Sequence, residues 1–315
     1  MRLRRIIACA TISLSILVCP VVPVWAQEAH PVPHNFLAGI PLELGNPGGS
    51  APGSNNWDCK PSDRHPDPVV LVHGTSGNRQ DNWATYAPLL ANEGYCVYAL
   101  TYGAFDELPW PISALGGLQP MERSARELSD FVDRVLQETG AQKVDLVGHS
   151  QGTLMPSYYV KRLGGAAKVD QYVSLAPLWH GTDAFEATRF RETIRAVGGD
   201  QLFEDAFGAL CGACMQLVVG SDFLTELHAD GIYAPQVTYT NIATRYDELV
   251  VPYTSGLLVA PNATNIVVQD GCSTHYGEHM AIAADPVTAA HVLNALDPDH
   301  PRPVPCRFVA PMTGG

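Results

Sequence analysis

Six short apolar runs, separated by stretches with helical periodicity, constrain the fold of this 315-residue chain more than any other feature. The runs are rich in β-branched residues and lie at residues 69–72, 96–100, 144–147, 172–176, 237–243 and 264–268. Near-continuous apolar runs are typical of strands buried on both faces of a parallel sheet. Helical spacing of apolar residues occurs in residues 128–136, 152–163 and 286–296. This alternation predicts an α/β doubly wound sheet, whose sites lie at the carboxyl ends of the strands.

The first 26 residues have the features of a secretory signal peptide. Three arginines precede an apolar run over residues 6–18, and Val24 and Ala26 stand at the two positions that a signal peptidase reads. The run is shorter than the roughly 20 residues that span a bilayer, which argues against a membrane anchor. We therefore expect cleavage near Ala26 and secretion of a mature chain, beginning near Gln27, to the periplasm or the medium.

The length of the remaining chain is typical of one α/β domain. Cleavage would leave 289 residues. Residues 27–68, which are rich in Gly, Pro, Asn and Ser from residue 38 onward, are predicted to be irregular. The packed domain is then expected over residues 69–315, with a helical insert at about 182–216.

Charge and cysteine content restrict the partners and the compartment of the chain. The formal net charge is −13, and it becomes −16 without the three arginines of the leader. A strongly acidic surface repels phosphate backbones and anionic membranes, so we expect no nucleic-acid partner. Six cysteines remain, and an even number in an oxidising compartment predicts three disulfides. Their spacing alone leaves fifteen pairings open.

The string "GHSQG" at residues 148–152 indicates a nucleophile. It follows the apolar run 144–147 directly and precedes a helical stretch, which is the context that the G-x-S-x-G turn requires. The flanking glycines permit a turn too tight for side chains, and the turn exposes the serine hydroxyl at the edge of the sheet. Ser150 is therefore the predicted nucleophile.

A serine hydroxyl needs a general base, and the base needs a carboxylate that orients it. In folds with this turn the order along the chain is serine, acid, histidine. Asp247 lies just past the run 237–243 and is the preferred acid, and Asp222 in "GSDFL" is the other candidate. Asp222 comes earlier than the final strands that frame the histidine.

Four histidines follow Asp247 and are candidates for the base: His275, His279, His291 and His300. His279 is preferred because it lies in the loop between the last predicted strand and the last predicted helix. His291 falls within that helix and His300 in a Pro-rich tail, so both are expected at the surface. His275 remains an alternative.

The tetrahedral intermediate of such a reaction needs two backbone N–H donors. One is expected from Gln151, the residue after the nucleophile, at the amino terminus of a helix where negative charge is favoured. The other is expected from Thr75, in the loop "HGTSG" after the first central strand. The glycines of this loop let the backbone approach a substrate closely.

Several strings together resemble the secreted bacterial triacylglycerol lipases of lipase class 2, and more distantly the yeast lipase B. They include "LVHGTSGN", "VDLVGHSQGTLMPSYYVKRLGG", "SLAPLWHGT", "CGAC", "ATRYDELVVPY" and "EHMAIAADPVTAAHVLNALDP". The resemblance runs from about residue 69 to residue 298 in family order. It implies an α/β-hydrolase fold with a helical cap and hydrolysis of carboxylic esters through Ser150, Asp247 and His279. It also favours His279 over His275.

The resemblance implies further properties. The disulfides would join Cys59 with Cys96, Cys211 with Cys214, and Cys272 with Cys306. The enzyme would need no cofactor and would act as a monomer on lipids or small esters, with transient contact to a lipid–water interface. The insert at 182–216 and the string "LPWPISALGG" at residues 108–117 are apolar enough to line an acyl pocket.

Two other functions compete with this interpretation. The string H-Y-G-E-H at residues 275–279 matches the H-x-x-E-H pattern of inverted zinc peptidases, with His275 and His279 as ligands and Glu278 as base. Gly277 would cost the required helix roughly 1 kcal/mol relative to alanine, so we predict no metal site. A non-catalytic protein of this fold that binds a partner is the second alternative, against which the complete set of predicted catalytic groups argues.

Overall fold

A computed structural model of the protein describes residues 29–186, 189, 196, 200–311 and 314. The predicted signal peptide lies outside these residues. Among the described residues, no helix combines the length and the apolar character needed to cross a membrane.

A parallel sheet of six strands forms the centre of the molecule, in the order β2-β1-β3-β4-β5-β6. The strands are β1 (Val69–Val72), β2 (Val97–Leu100), β3 (Val144–His149), β4 (Val169–Leu175), β5 (Thr238–Ala243) and β6 (Ala263–Val267). All residues of β1, β2 and β3 are buried, as near-continuous apolar runs require. The predicted α/β sheet is confirmed, and each apolar run contributes one strand.

Eight α-helices are described. They are α1 (Gly39–Gly45), α2 (Tyr86–Asn92), α3 (Met121–Thr139), α4 (Met155–Arg162), α5 (Asp200–Gln216), α6 (Asp222–Leu227), α7 (Val268–Gly271) and α8 (Pro286–Leu296). The apolar stripe of α3 buries Leu128, Val132 and Val135. Gly140 caps the carboxyl end of this helix, and its φ of 78° is the left-handed conformation that glycine adopts readily.

The segment 29–68 is predicted to be irregular, but it contains helical structure. Asn35 caps a 3-10 turn at Phe36–Ala38, and α1 follows it. A Cβ atom at Gly39 would lie 1.9 Å from the backbone oxygen of Asp81, so this glycine allows α1 to pack against the loop after β1. The prediction was wrong here because the helix depends on that tertiary contact, in a stretch whose composition favours turns.

Strand β4 begins three residues before the predicted run. Val169 pairs with Val144. The apolar pattern does not predict this extension, because Asp170 and Gln171 are polar. The predicted insert at 182–216 is described in part. Its last portion is α5, which is interrupted at Cys211, where φ is −151° and ψ is 80°.

The six cysteines form three disulfides in the pairs that the resemblance implies. Cys59 and Cys96 join the segment before β1 to the start of β2. Cys211 and Cys214 form a local bridge within α5. The third disulfide, between Cys272 and Cys306, joins the loop that carries His279 to the carboxyl-terminal tail.

Candidate active site

Ser150 lies on a strained turn directly after β3. Its φ is 56°, a left-handed conformation that is uncommon for a non-glycine residue and costs on the order of 1–3 kcal/mol. A Cβ atom at Gly148 would lie 2.0 Å from the oxygen of Gly152, and one at Gly152 would lie 2.0 Å from the oxygen of Val72. Only glycine therefore fits at these two positions, because each Cα packs directly against a backbone carbonyl group, that of Gly152 or that of Val72 in β1.

Asp247 and His279 form a buried pair at the carboxyl end of β5. Nδ1 of His279 lies 2.9 Å from Oδ1 and 3.0 Å from Oδ2 of Asp247, and both side chains are 2% exposed. Oδ1 of Asp247 also accepts hydrogen bonds from the backbone N–H groups of Leu249 and Val250. A carboxylate facing Nδ1 keeps the ring proton on that atom, so Nε2 of the neutral ring can accept a proton.

The other candidate acids and bases lie elsewhere. Asp222 is exposed in the first turn of α6. His275 is buried, and its Nε2 lies 3.1 Å from Oδ1 of Asp285, the residue that caps α8. His291 lies within α8, and the exposed ring of His300 hydrogen-bonds Asp297. Of the candidate histidines in the loop, only His279 faces the predicted acid.

Thr75 and Gln151, the predicted donors to the oxyanion, are in direct contact. The hydroxyl of Thr75 donates a hydrogen bond of 2.6 Å to Oε1 of Gln151. The loop lies close to the nucleophile, since a Cβ atom at Gly74 would be 3.1 Å from Cβ of Ser150. The loop after β1 and the turn after β3 are therefore fixed to each other beside the serine.

His149 connects these parts and was not identified from the sequence. Its Nε2 lies 2.9 Å from the backbone oxygen of His279, and its Nδ1 lies 3.1 Å from Oδ1 of Asn82. The same oxygen of Asn82 accepts the N–H of Gly74. Burial and, to a smaller extent, the neighbouring His279 lower the pKa of His149 to about 3, so the ring is neutral near pH 7.

A cavity of about 760 Å³ contains Ser150, His279 and Thr75 in its wall. Apolar side chains form most of the remainder, among them Phe36, Ile40, Leu178, Met215, Leu217 and Val218. The end of the insert contributes to it as predicted, through Cys214 and Met215. Residues 108–117 do not line this cavity, and Trp110 and Ile112 are exposed instead. Phe36 and Ile40 come from the segment predicted to be irregular.

The H-Y-G-E-H string does not form the helix that an inverted zinc peptidase needs. Residues 275–279 have no helical structure, and their two histidines face different aspartates. Within the described part of the chain, one group of three side chains is close enough to hold a metal, and it is Asp67, Asp145 and Asp170. The zinc interpretation therefore has no support from this string.

Comparison with solved structures defines the class of fold. The fold is similar to that of lipase B from Aspergillus fumigatus, with a TM-score of 0.59 and 18% identity over 81% of this chain and 56% of that one. It is also similar to a lipase of Bacillus licheniformis in its mature form, with a TM-score of 0.51 and 15% identity over 79% of this chain and 96% of that one. The fold is therefore that of the α/β-hydrolases.

The chain belongs to the family described as Lipase (class 2), whose profile matches residues 66–291. Curated relatives include a triacylglycerol lipase from Pseudarthrobacter phenanthrenivorans, 34% identical over 96 residues, which is 29% of this chain and 27% of that protein. A triacylglycerol lipase from Burkholderia plantarii is 34% identical over 96 residues, or 29% of this chain and 24% of the relative. The matched region thus spans about a quarter of the length of these relatives.

Proposed function

We propose that the protein is a secreted serine hydrolase that cleaves carboxylic esters through Ser150, His279 and Asp247. The observation that carries this proposal is the buried pair of Asp247 and His279, whose base lines the same apolar cavity as the strained Ser150. Membership of the class 2 lipase family supports acylglycerols or related esters as substrates.

The reaction would proceed in two halves. Oγ of Ser150 attacks the ester carbonyl carbon while Nε2 of His279 takes the hydroxyl proton, and Asp247 stabilises the resulting imidazolium. The negative oxygen of the tetrahedral intermediate accepts hydrogen bonds from the backbone N–H groups of Gln151 and Thr75. His279 then protonates the leaving alcohol, which departs and leaves an acyl-enzyme. A water molecule, deprotonated by the same histidine, releases the carboxylic acid and restores Ser150.

The cavity supports a substrate with an apolar acyl chain. Its wall carries apolar side chains next to the serine, and its volume of about 760 Å³ is within the range of small-molecule sites. Asp81 is the one carboxylate among the described residues that line it. Burial raises the pKa of Asp81 to about 6, so it is partly neutral near that pH. The three disulfides and the predicted signal peptide support secretion.

Ester hydrolysis by a Ser150→Ala variant tests this proposal. We expect kcat for p-nitrophenyl esters to fall by at least about 10⁴-fold, with an unchanged circular dichroism spectrum. Ser157→Ala is a matched control, because Ser157 is a buried serine on α4 that lies outside the cavity wall. A serine-directed phosphonate should inactivate the native protein and the control, and a chelator should leave hydrolysis unchanged.

Two results would contradict the proposal. Hydrolysis that survives both Ser150→Ala and the phosphonate but stops with the chelator would favour the zinc peptidase pattern. A folded native protein without activity on short or long acyl esters would favour a binding protein with this fold.

A further inference from the structure

Three carboxylates lie together at the amino-terminal ends of strands β1, β3 and β4, on the side of the sheet opposite to Ser150. Asp67 lies two residues before β1, Asp145 is the second residue of β3, and Asp170 is the second residue of β4. Each offers one oxygen, and these oxygens all lie within 4.8 Å of one another. Because they stand at the amino ends of strands, whereas Ser150 follows the carboxyl end of β3, the cluster is separate from the candidate active site.

With all three carboxyls ionised, the cluster would carry more negative charge than its neighbours balance. Across the described residues, its three carboxylates make one ion pair, between Oδ1 of Asp170 and Nζ of Lys143 at 2.7 Å. Asp145 is 4% exposed and accepts a hydrogen bond from the backbone N–H of Gln171. Burying a carboxylate beside two others is unfavourable unless a cation or a proton compensates.

A residue in the wall of the cavity at these carboxylates carries a buried hydroxyl without a hydrogen-bond partner among the described residues. Tyr95 is 5% exposed, and its hydroxyl has no hydrogen-bond partner among the described residues. Tyr95 and the three aspartates line one cavity of about 310 Å³. An unsatisfied buried hydroxyl costs roughly 1–3 kcal/mol, so a polar occupant of the cavity would stabilise it.

We propose that Asp67, Asp145 and Asp170 bind a calcium ion, with the hydroxyl of Tyr95 hydrogen-bonded to a water molecule on that ion. Calcium prefers oxygen ligands at about 2.3–2.6 Å, so two oxygens on one ion are at most about 5 Å apart, as in this cluster. The cavity leaves room for the water molecules that complete the coordination. The ion would join β1, β3 and β4 at their amino ends and would stabilise the fold without taking part in ester hydrolysis.

Calcium titration of the protein, freed of metal by a chelator and then desalted, tests this site. We expect calorimetry with CaCl2 to show one ion bound per chain, and the Tm to rise by at least about 4 °C at saturation. Asp145→Asn and Asp170→Asn should lose this calcium-dependent shift. Asp145→Asn can still raise the Tm of the metal-free protein, because it relieves the repulsion between the carboxylates. Tyr95→Phe should weaken calcium binding severalfold.

Asp299→Asn is the matched control, because Asp299 lines the same cavity, is exposed and loses the same charge without belonging to the cluster. It should bind calcium as the native protein does. Ester hydrolysis at 25 °C serves as the check that each variant is folded, and it does not depend on the ion. The proposal is overturned if the native protein shows no calcium-dependent heat or Tm shift at 5 mM CaCl2, which is about fivefold above the Kd of the weakest extracellular sites. An unchanged shift in Asp145→Asn and Asp170→Asn, or an equal shift with MgCl2, would overturn it too.

Discussion

Nε2 of His149 lies 2.9 Å from the backbone carbonyl oxygen of His279, although the two residues are 130 positions apart in the chain. The residue before the proposed nucleophile thus holds the loop that carries the proposed base. The carbonyl oxygen can only accept, so this hydrogen bond requires the tautomer of His149 that carries its proton on Nε2. The geometry of the base relative to Ser150 therefore depends on a third side chain.

Replacing His149 by phenylalanine should lower kcat about 10- to 100-fold and leave KM within about threefold, because the proposed base loses its anchor while an aromatic ring of similar size remains in the cavity wall. Steady-state kinetics on a p-nitrophenyl ester measure both constants. His149→Gln retains an N–H donor and should recover part of kcat. A phenylalanine variant with native kcat would show that the hydrogen bond has no role in positioning.

Thr75→Val should reduce kcat/KM about tenfold or more. Valine has the shape of threonine but lacks the hydroxyl, which donates a hydrogen bond of 2.6 Å to Gln151. The variant therefore loses the direct link between the loop and the turn, and a buried amide oxygen loses its partner. Thr75→Ser keeps the hydroxyl and should stay close to native activity. Equal losses in both variants would assign the effect to packing.

Val218→Trp should shorten the acyl site. Val218 lines the cavity and is 8% exposed, so a larger side chain there would fill space that a long acyl chain needs. We expect kcat/KM for a long-chain p-nitrophenyl ester to fall at least about tenfold, and that for the acetate to change less than about threefold. An equal fall for both esters would indicate that this part of the cavity does not hold the acyl chain.

Gly152→Ala should destabilise the protein by about 3 kcal/mol or more. The new methyl group would lie 2.0 Å from the backbone oxygen of Val72 and 2.5 Å from that of His73, and backbone in a central strand cannot yield easily. Urea unfolding measures the loss. Gly271→Ala is the control, because a Cβ atom there meets nothing within 4 Å, and its free energy of unfolding should stay near the native value.

The acid sensitivity of the fold should depend on His73. Its Nδ1 donates to the oxygen of Gly74 and its Nε2 accepts the N–H of Tyr102, an arrangement that only the neutral ring can make. Burial lowers its pKa to about 4, below the value of about 6.5 for an unfolded histidine. The unfolded state therefore binds the proton first, and this contribution to stability is present above pH 6.5 and is lost as the pH falls toward 4.

A His73→Gln variant isolates this contribution. Between pH 7 and pH 5 the native protein should lose about 2 kcal/mol more of its free energy of unfolding than the variant does. Urea unfolding at both pH values gives the four free energies, and groups common to both proteins, such as Asp81, cancel in the difference. Equal losses in the two proteins would show that the pKa of His73 in the native state is close to its value in the unfolded chain.

Much of the fold follows from local patterns. Buried parallel strands are apolar along their whole length, so β1, β2 and β3 are visible in the sequence, and the amphipathic stripe of α3 is equally clear. The start of β4 is not, since Asp170 and Gln171 are polar residues in a strand. Helix α1 is also hidden, because it exists by packing Gly39 against the loop at Asp81.

The sequence by itself determined the order of the strands along the chain, the turn around Ser150 and the short set of acids and bases. The sequence does not show which of these acids and bases lie close together in space. Asp247, His279 and His149 meet through contacts between segments far apart in the chain. Only the tertiary structure brought Asp247 to His279, paired His275 with Asp285, and carried Phe36 and Ile40 to the cavity. Local sequence patterns indicate which residues are buried and where the chain turns. The distances between distant segments are set only when the strands align in one sheet.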